Sequence, residues 1–198
     1  LRRRVEGRSR FLLAGERTAL NFLGRMSGIA SLTAQYVQAV SGTQAIILDT
    51  RKTAPGLRYL DKYSVRMGGG QNHRTGLFDM VLVKDNHIAL AGSPEECVRL
   101  ARAAGTAARI ECEARSGKEA IAAIRAGADI VMLDNFTPLR AGRTIKEIIK
   151  LGLRKKAMIE ISGRVSRNNI KRYAKAKPDY ISVGYITHSP RAIDMSLE

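Results

Sequence analysis

The sequence has no tryptophan, and aromatic residues fill only 5% of its 198 positions. A nucleic-acid surface that stacks bases on interleaved aromatics has little to draw on here. Cysteine is nearly absent too: Cys97 and Cys112 stand far apart, with no CxxC pair. They support neither a disulfide framework nor a structural zinc site, and they read as small core residues in a reducing, cytoplasmic setting. No apolar run approaches the roughly 20 residues that a membrane-spanning helix needs. Acids are scarce as well, 18 against 34 lysines and arginines, for a net charge of +16. That excess predicts an anionic partner: a nucleic acid, a charged surface or a strongly anionic small substrate.

What is present is globular in composition, with 44% hydrophobic and 26% charged residues in a length that suits one sizeable domain. Low-complexity segments are missing. The first ten residues hold five arginines and no apolar signal core, and the chain opens at Leu1, so the expectation is a start cut from something longer.

Six apolar runs of strand length recur: Ala45-Ile46-Ile47-Leu48, Met80-Val81-Leu82-Val83, Ala108-Arg109-Ile110-Glu111-Cys112, Ile130-Val131-Met132-Leu133, Ala157-Met158-Ile159-Glu160-Ile161 and Asp179-Tyr180-Ile181-Ser182-Val183. Runs of this kind, separated by helices, predict a parallel sheet buried on both faces. Between them lie helix signals. Ser93-Pro94-Glu95-Glu96 offers a cap, a first-turn proline and two acids, and Gly105 closes that helix. Ser116 and Glu119 form a capping box with Gly127 as the stop, Thr137-Pro138 opens a helix ending near Gly152, and Ser166 is expected to cap one through Ala174. A long helix is expected from Glu16 to Ser41, with small residues such as Gly24, Ser27 and Ala30 on a stripe that lets another backbone approach. The triple glycine Gly68-Gly69-Gly70, taken alone, reads as a mobile turn.

About six strand–helix units predict an α/β fold, either a barrel or a doubly wound sheet. Polar residues favour the barrel, because they follow nearly every strand instead of gathering at one switch point. They are Asp49-Thr50-Arg51-Lys52, Lys84-Asp85-Asn86-His87, Glu113, Asp134-Asn135, Ser162-Gly163-Arg164 and Gly184. The expected fold is a (β/α) barrel of six to seven parallel strands, TIM-barrel-like and partly open. Its mouth would carry Arg51, Lys52, Arg74, Lys84 and Arg164, which suit carboxylates or phosphates. Glu113 and Asp134 would supply acids for a cation, sugar hydroxyls or a developing positive charge. Of Glu111 and Glu113, which share one side of a strand, Glu113 is the choice, with Glu111 the possible partner of Arg109. Ser162-Gly163 and Val183-Gly184 sit where barrels cradle phosphate on backbone amides. Together these features point to an enzyme for a phosphorylated sugar and a carboxylated second substrate.

Four long segments carry a resemblance. They are Glu16-Arg17-Thr18-Ala19-Leu20-Asn21-Phe22-Leu23 with Ser27-Gly28-Ile29-Ala30, then residues 49–58 (Asp49 to Arg58), residues 68–77 (Gly68 to Leu77) and Lys84-Asp85-Asn86-His87. In this order they resemble the quinolinate phosphoribosyltransferases, or carboxylating nicotinate-nucleotide pyrophosphorylases, from about Val5 to the C-terminus. The resemblance implies that residues 1–15 are the trailing edge of a missing N-terminal sandwich domain and that residues 16–198 are the catalytic barrel. It implies phosphoribosyl transfer from phosphoribosyl pyrophosphate to quinolinate with decarboxylation, giving nicotinate mononucleotide, pyrophosphate and carbon dioxide for NAD synthesis. Magnesium accompanies the pyrophosphate and no organic cofactor is expected.

The resemblance also implies residue roles. Thr50, Arg51, His73, Arg74 and Lys84 match quinolinate-binding positions, and Arg17 matches an arginine that serves a neighbouring subunit's site, so a homodimer or higher homo-oligomer is expected. Lys52 and Lys84 face the pyrophosphate, while Glu113 and Asp134 lie near the ribose hydroxyls and the metal; these four make up the catalytic set. Lys52, Ser162, Gly163, Arg164, Val183, Gly184 and Tyr185 fall where phosphate is held. One departure is visible: the family pattern Ser-Gly-Gly is Ser162-Gly163-Arg164 here. Two other classes were weighed, a nucleic-acid binder drawing on the +16 charge and a barrel that binds substrate without turnover. Neither nucleic acid nor membrane is the expected partner.

Overall fold

The computed structural model describes residues 4–197, and its centre is one sheet of six parallel strands. In chain order these are β1 (Ile46–Leu48), β2 (Val81–Val83), β3 (Ile110–Ala114), β4 (Ile130–Asp134), β5 (Met158–Ser162) and β6 (Tyr180–Ser182). The spatial order is β1-β6-β5-β4-β3-β2, so β1 and β2 form the two edges and do not pair with each other. A single bridge between Leu48 and Gln71 runs beside β1. This is the expected TIM-barrel-like sheet, with six strands and not closed.

Side chains alternate across a strand, and here the alternation divides the protein's work. One set of strand residues, including Ile47, Val83, Ile110, Cys112, Val131, Leu133, Ile159, Ile161, Ile181 and Val183, enters a single apolar core with the helices. The other set faces inward. Register aligns Glu113 and Glu160 with Met132, and Asp134 with Ser162, so acids and hydroxyls share the inner face with Leu48, Leu82 and Met132. The sheet is buried on both faces, as expected, but only the outer face is apolar. Helices cover that face, whereas the inner face of an open barrel lines its own cavity.

The helices are α1 (Ser9–Ala39), α2 (Arg58–Met67), α3 (Asp85–Ala91), α4 (Pro94–Ala103), α5 (Gly117–Arg125), α6 (Pro138–Lys150), α7 (Ile170–Ala174) and α8 (Tyr185–His188). The predicted caps of α4, α5 and α6 form: Ser93, Ser116 and Thr137 accept the amide hydrogens of Glu96, Glu119 and Arg140. Glu119 does reach back, but to the amide of Arg115, one residue before the cap. Helix α1 starts seven residues earlier than the periodicity indicated, so residues 9–15 are continuous with it. Leu1 to Arg3, part of the arginine-rich start, lie outside the described residues. Ser166 does not cap α7, which begins at Ile170 after a turn that Asn169 closes on the Ser166 amide.

The small-residue stripe of α1 does meet another backbone. A Cβ on Gly28 would stand 2.0 Å from the Arg191 carbonyl oxygen, and one on Gly24 would stand 2.7 Å from that of Ile193. Ile193 in turn donates its amide to the Gly24 carbonyl at 3.0 Å. The triple glycine lies against the same helix, since a Cβ on Gly68 would meet the Ala30 oxygen at 2.4 Å. Close packing, not mobility, explains those glycines. Gly28→Ala should therefore destabilise the fold by about 3 kcal/mol through overpacking. Gly15→Ala, with open space around it, should stabilise α1 by about 0.5–1 kcal/mol. Urea unfolding of both variants checks this; equal effects would contradict the packing.

Candidate active site

The sequence Asp49-Thr50-Arg51-Lys52 turns at the end of β1, and the position of this turn depends on a buried ion pair. Lys62 of α2 donates its ammonium to Asp49 Oδ1 at 2.5 Å and to the His73 carbonyl at 2.7 Å, with both ionic side chains sealed from solvent. Asp49 Oδ1 also accepts the His73 amide at 2.8 Å. The hydrogen-bond network turns the Asn72 amide nitrogen toward Asp49 Oδ2 and the Lys62 carbonyl, 2.9 Å each. The segment carrying His73 and Arg74 is thus fastened beside β1.

A cavity of about 420 Å³ opens at the carboxyl ends of β1, β4, β5 and β6. Thr50, Lys52, Asp134, Ser162, Gly163, Arg164, Val183, Gly184 and Tyr185 all line it. Every residue matched to phosphate binding therefore meets in one place. His188, which the sequence reading did not single out, lines it as well and packs edge-on to Tyr185. Thr187 donates its hydroxyl to the Lys52 carbonyl at 2.8 Å and so ties α8 to the β1 turn. Arg164 takes a left-handed backbone with φ of 54°, which costs a non-glycine residue about 1 kcal/mol.

On the neighbouring strands the motif Lys84-Asp85-Asn86-His87 builds the start of α3. The His87 ring accepts the Lys84 amide at 2.9 Å, and Asp85 pairs with Arg115 at 2.5 Å. Lys84 is thereby held with its ammonium 3.3 Å from Glu113, whose carboxylate is mostly buried. Asp134, half-buried one layer above, accepts from Asn135 at 2.6 Å.

Arg74 lies on the segment between α2 and β2. Its Nη1 donates to the Met80 carbonyl at 3.1 Å, while its Nε is buried with no acceptor among the described residues. Burial and the neighbouring Arg51 both push the Arg74 guanidinium below its usual pKa. A second cavity, of about 310 Å³, is lined by His73, Arg74, Glu111 and Glu160 together with Met80, Arg109, Ile130 and Tyr180, which stand at or just before the amino ends of β2, β3, β4 and β6. Glu111 is not the partner of Arg109; its Oε2 lies 3.0 Å from His73 Nε2. Burial lifts the Glu111 carboxyl to about 7 and the Glu160 carboxyl well above its usual range. Arg17 and Arg51 are exposed, and Arg17, on the N-terminal half of α1, lines none of these cavities.

The strand ends thus gather Thr50, Lys52, Ser162, Gly163, Arg164, Gly184 and Tyr185 around one cavity, while Arg74 lines the other with the buried acids. Comparison with known proteins names this arrangement. Residues 29–198 match the family model described as the quinolinate phosphoribosyl transferase C-terminal domain. The chain belongs to the quinolinate phosphoribosyltransferase family. It is 45% identical over 196 residues to a probable carboxylating nicotinate-nucleotide pyrophosphorylase of Archaeoglobus fulgidus, covering 98% of this chain and 75% of that protein. It is 42% identical over 197 residues to the human carboxylating nicotinate-nucleotide pyrophosphorylase, covering 98% of this chain and 66% of that one. Among solved structures, the nicotinate-nucleotide pyrophosphorylase of Francisella tularensis superposes with a TM-score of 0.89 at 44% identity, over 95% of this chain and 65% of that chain. The chain thus spans about two thirds to three quarters of the length of these family members. The family's enzymes are pentosyltransferases. None of the described helices is long and apolar enough to cross a membrane.

The role of the buried pair in this phosphoribosyltransferase barrel is open to test. Lys62→Met should cost about 3–5 kcal/mol, because it strands a buried carboxylate. Adding Asp49→Asn should recover part of the loss, as expected of two residues that act as a unit. Denaturant unfolding of the single and double variants measures both; additive losses would contradict the coupling.

Proposed function

We propose that this chain performs phosphoribosyl transfer from phosphoribosyl pyrophosphate to quinolinate, with decarboxylation to nicotinate mononucleotide. The observation that carries the assignment is the single cavity in which Lys52, Ser162, Gly163, Arg164, Gly184 and Tyr185 meet, in a chain of this family. Quinolinate bears two carboxylates, and paired guanidinium groups bind such groups through directed hydrogen bonds.

In this reading Arg51, Arg74, Thr50 and Lys84 hold quinolinate, with His73 supporting Arg74. The loops at Ser162-Gly163-Arg164 and Val183-Gly184-Tyr185, with Lys52, take the phosphate of the ribose. The ring nitrogen attacks the anomeric carbon as the bond to pyrophosphate breaks, and that bond's electron pair leaves with pyrophosphate. No strong base is required, so the protein's work is to bring two polyanions together and to stabilise the cationic sugar centre. Glu113 or Asp134 sits against that charge. Loss of carbon dioxide leaves an electron pair on the ring carbon, where the alkylated nitrogen stabilises it until a proton arrives; the Lys84 ammonium faces the departing carboxylate.

Magnesium enters with phosphoribosyl pyrophosphate as part of the substrate. Glu113 and Asp134 offer it at most two carboxylates, which fits an ion completed by phosphate oxygens and water. Arg17, exposed and remote from these cavities, is assigned to the active site of a second copy, and the assembly is a homodimer or larger. The cytoplasm is the proposed location.

Steady-state turnover tests the proposal, with quinolinate and phosphoribosyl pyrophosphate supplied and pyrophosphate and carbon dioxide followed. Arg51→Ala and Arg74→Ala should each raise the quinolinate KM by roughly 30-fold, the equivalent of about 2 kcal/mol for a lost charge-assisted contact. Arg17→Ala should lower turnover without changing the folded monomer. Unchanged constants in all three, or full turnover by a species that sediments only as monomer, would overturn these roles.

A further inference from the structure

Beneath the mouth lies a group of side chains to which the reaction above gives no chemical step: Glu111 on β3, Glu160 on β5 and the ring of His73. Both glutamates are at most 1% exposed, and all four of their carboxylate oxygens lack a hydrogen-bond partner among the described residues. His73 Nε2 stands 3.0 Å from Glu111 Oε2 and 3.6 Å from Glu160 Oε2. The other ring nitrogen is engaged, since Nδ1 accepts the backbone amide hydrogen of Arg74 at 2.8 Å.

This last contact fixes the proton. A neutral imidazole carries one donor and one acceptor nitrogen. With Nδ1 accepting, the hydrogen resides on Nε2. That nitrogen stands 3.0 Å from Glu111 Oε2 but, like the glutamate oxygens, makes no aligned hydrogen bond among the described residues, so the tie between them is one of charge. Burial keeps the His73 ring neutral, pushing its pKa below the usual histidine value. Two carboxylates this close in a dry interior cannot both be ionised. Glu160, whose carboxyl burial and the neighbouring Glu111 push well above its usual range, retains its proton. The cluster then presents one negative charge to the Nε2 hydrogen.

The same geometry argues against a metal ion. The three side chains could place ligand atoms within 4.8 Å of one another. A cation on Nε2, however, would need Nδ1 to carry the hydrogen and donate it, and Nδ1 already accepts from Arg74.

We propose that Glu111 and Glu160 are positioning residues for quinolinate recognition: they hold the His73 hydrogen on Nε2, which leaves Nδ1 to fix the Arg74 backbone. The inference rests on the assignment of Arg74 to the quinolinate carboxylates. Lys62 and Asp49 clamp the His73 carbonyl and amide. The ring adds a third restraint at the next amide. Together they fix the backbone from which the Arg74 side chain extends.

The test reads the tautomer and the substrate separately in the complete enzyme. Long-range proton–nitrogen NMR should show hydrogen on Nε2 of His73 in the wild type. Glu111→Met should yield mixed tautomers and raise the quinolinate Kd about tenfold, with the phosphoribosyl pyrophosphate Kd within about twofold. Glu111→Gln, whose carbonyl oxygen turns partial negative charge to the same hydrogen, should restore both readouts, and Glu160→Gln should do so relative to Glu160→Met. Hydrogen on Nδ1 in the wild type would overturn the proposal, as would glutamine variants no better than methionine ones. Parallel loss of both affinities would reduce the role to general stability, and a shift of the Nε2 resonance by zinc alone would make the cluster a metal site. Failure of the wild type to bind quinolinate would instead count against the assigned substrate, while the tautomer still decides the proton's place.

Discussion

Asp49 and Lys62 meet at 2.5 Å in the protein interior, and much of the active-site layout depends on that contact. The sheet does not close, and the chain between α2 and β2 is tied to β1 by a single bridge at Gln71. The ion pair extends that hold to residue 73. Its lysine binds the His73 carbonyl and its aspartate binds the His73 amide, so residue 73 is gripped on both backbone groups. A buried pair of this kind is costly to desolvate and gives little net stability. Its value lies in geometry: with either partner missing, the segment carrying Arg74 loses its place beside Arg51.

The alternation of the strands extends the same division between scaffold and site. Outward residues of all six strands join the helices in one apolar core, and this frees the inner face to carry Glu111, Glu113, Asp134 and Glu160. Buried acids raise each other's pKa and need nearby cations or protons to persist. Lys84 answers Glu113, and a retained proton answers Glu160. Under the proposed function, Arg51 and Arg74 take the carboxylates of a doubly anionic substrate. The +16 net charge thus finds at least part of its meaning in a site for two polyanions.

Much of this was legible in the sequence. The strand-end residues announced the mouth because a parallel barrel gathers its carboxyl ends, and the caps Ser93, Ser116 and Thr137 follow from local hydrogen-bonding chemistry alone. The stripe with Gly24, Ser27 and Ala30 indicates a close backbone approach, though not that Gly28 makes the closest one or that the C-terminal segment supplies it. Other features depend on long-range contacts that no local pattern records. Lys62 lies in a short polar helix, and nothing in Tyr59-Leu60-Asp61-Lys62-Tyr63 marks one lysine as buried. Glu160 was read as part of an apolar run, although its two-residue spacing from Ser162 already placed it on the inner face. Glu111 was set aside for Arg109 because its true neighbour, His73, is 38 residues away. His188 follows Gly184 by four residues and is legible as a polar ring at the end of the last strand–helix unit.

The central claim is that the mouth reads two carboxylates, and calorimetric titration with quinolinate beside nicotinate tests it most directly. Nicotinate lacks one carboxylate and keeps the ring. The account predicts binding of quinolinate and, for nicotinate, an affinity weaker by roughly 100-fold, the equivalent of about 2.7 kcal/mol. Equal affinity for the two acids would contradict it.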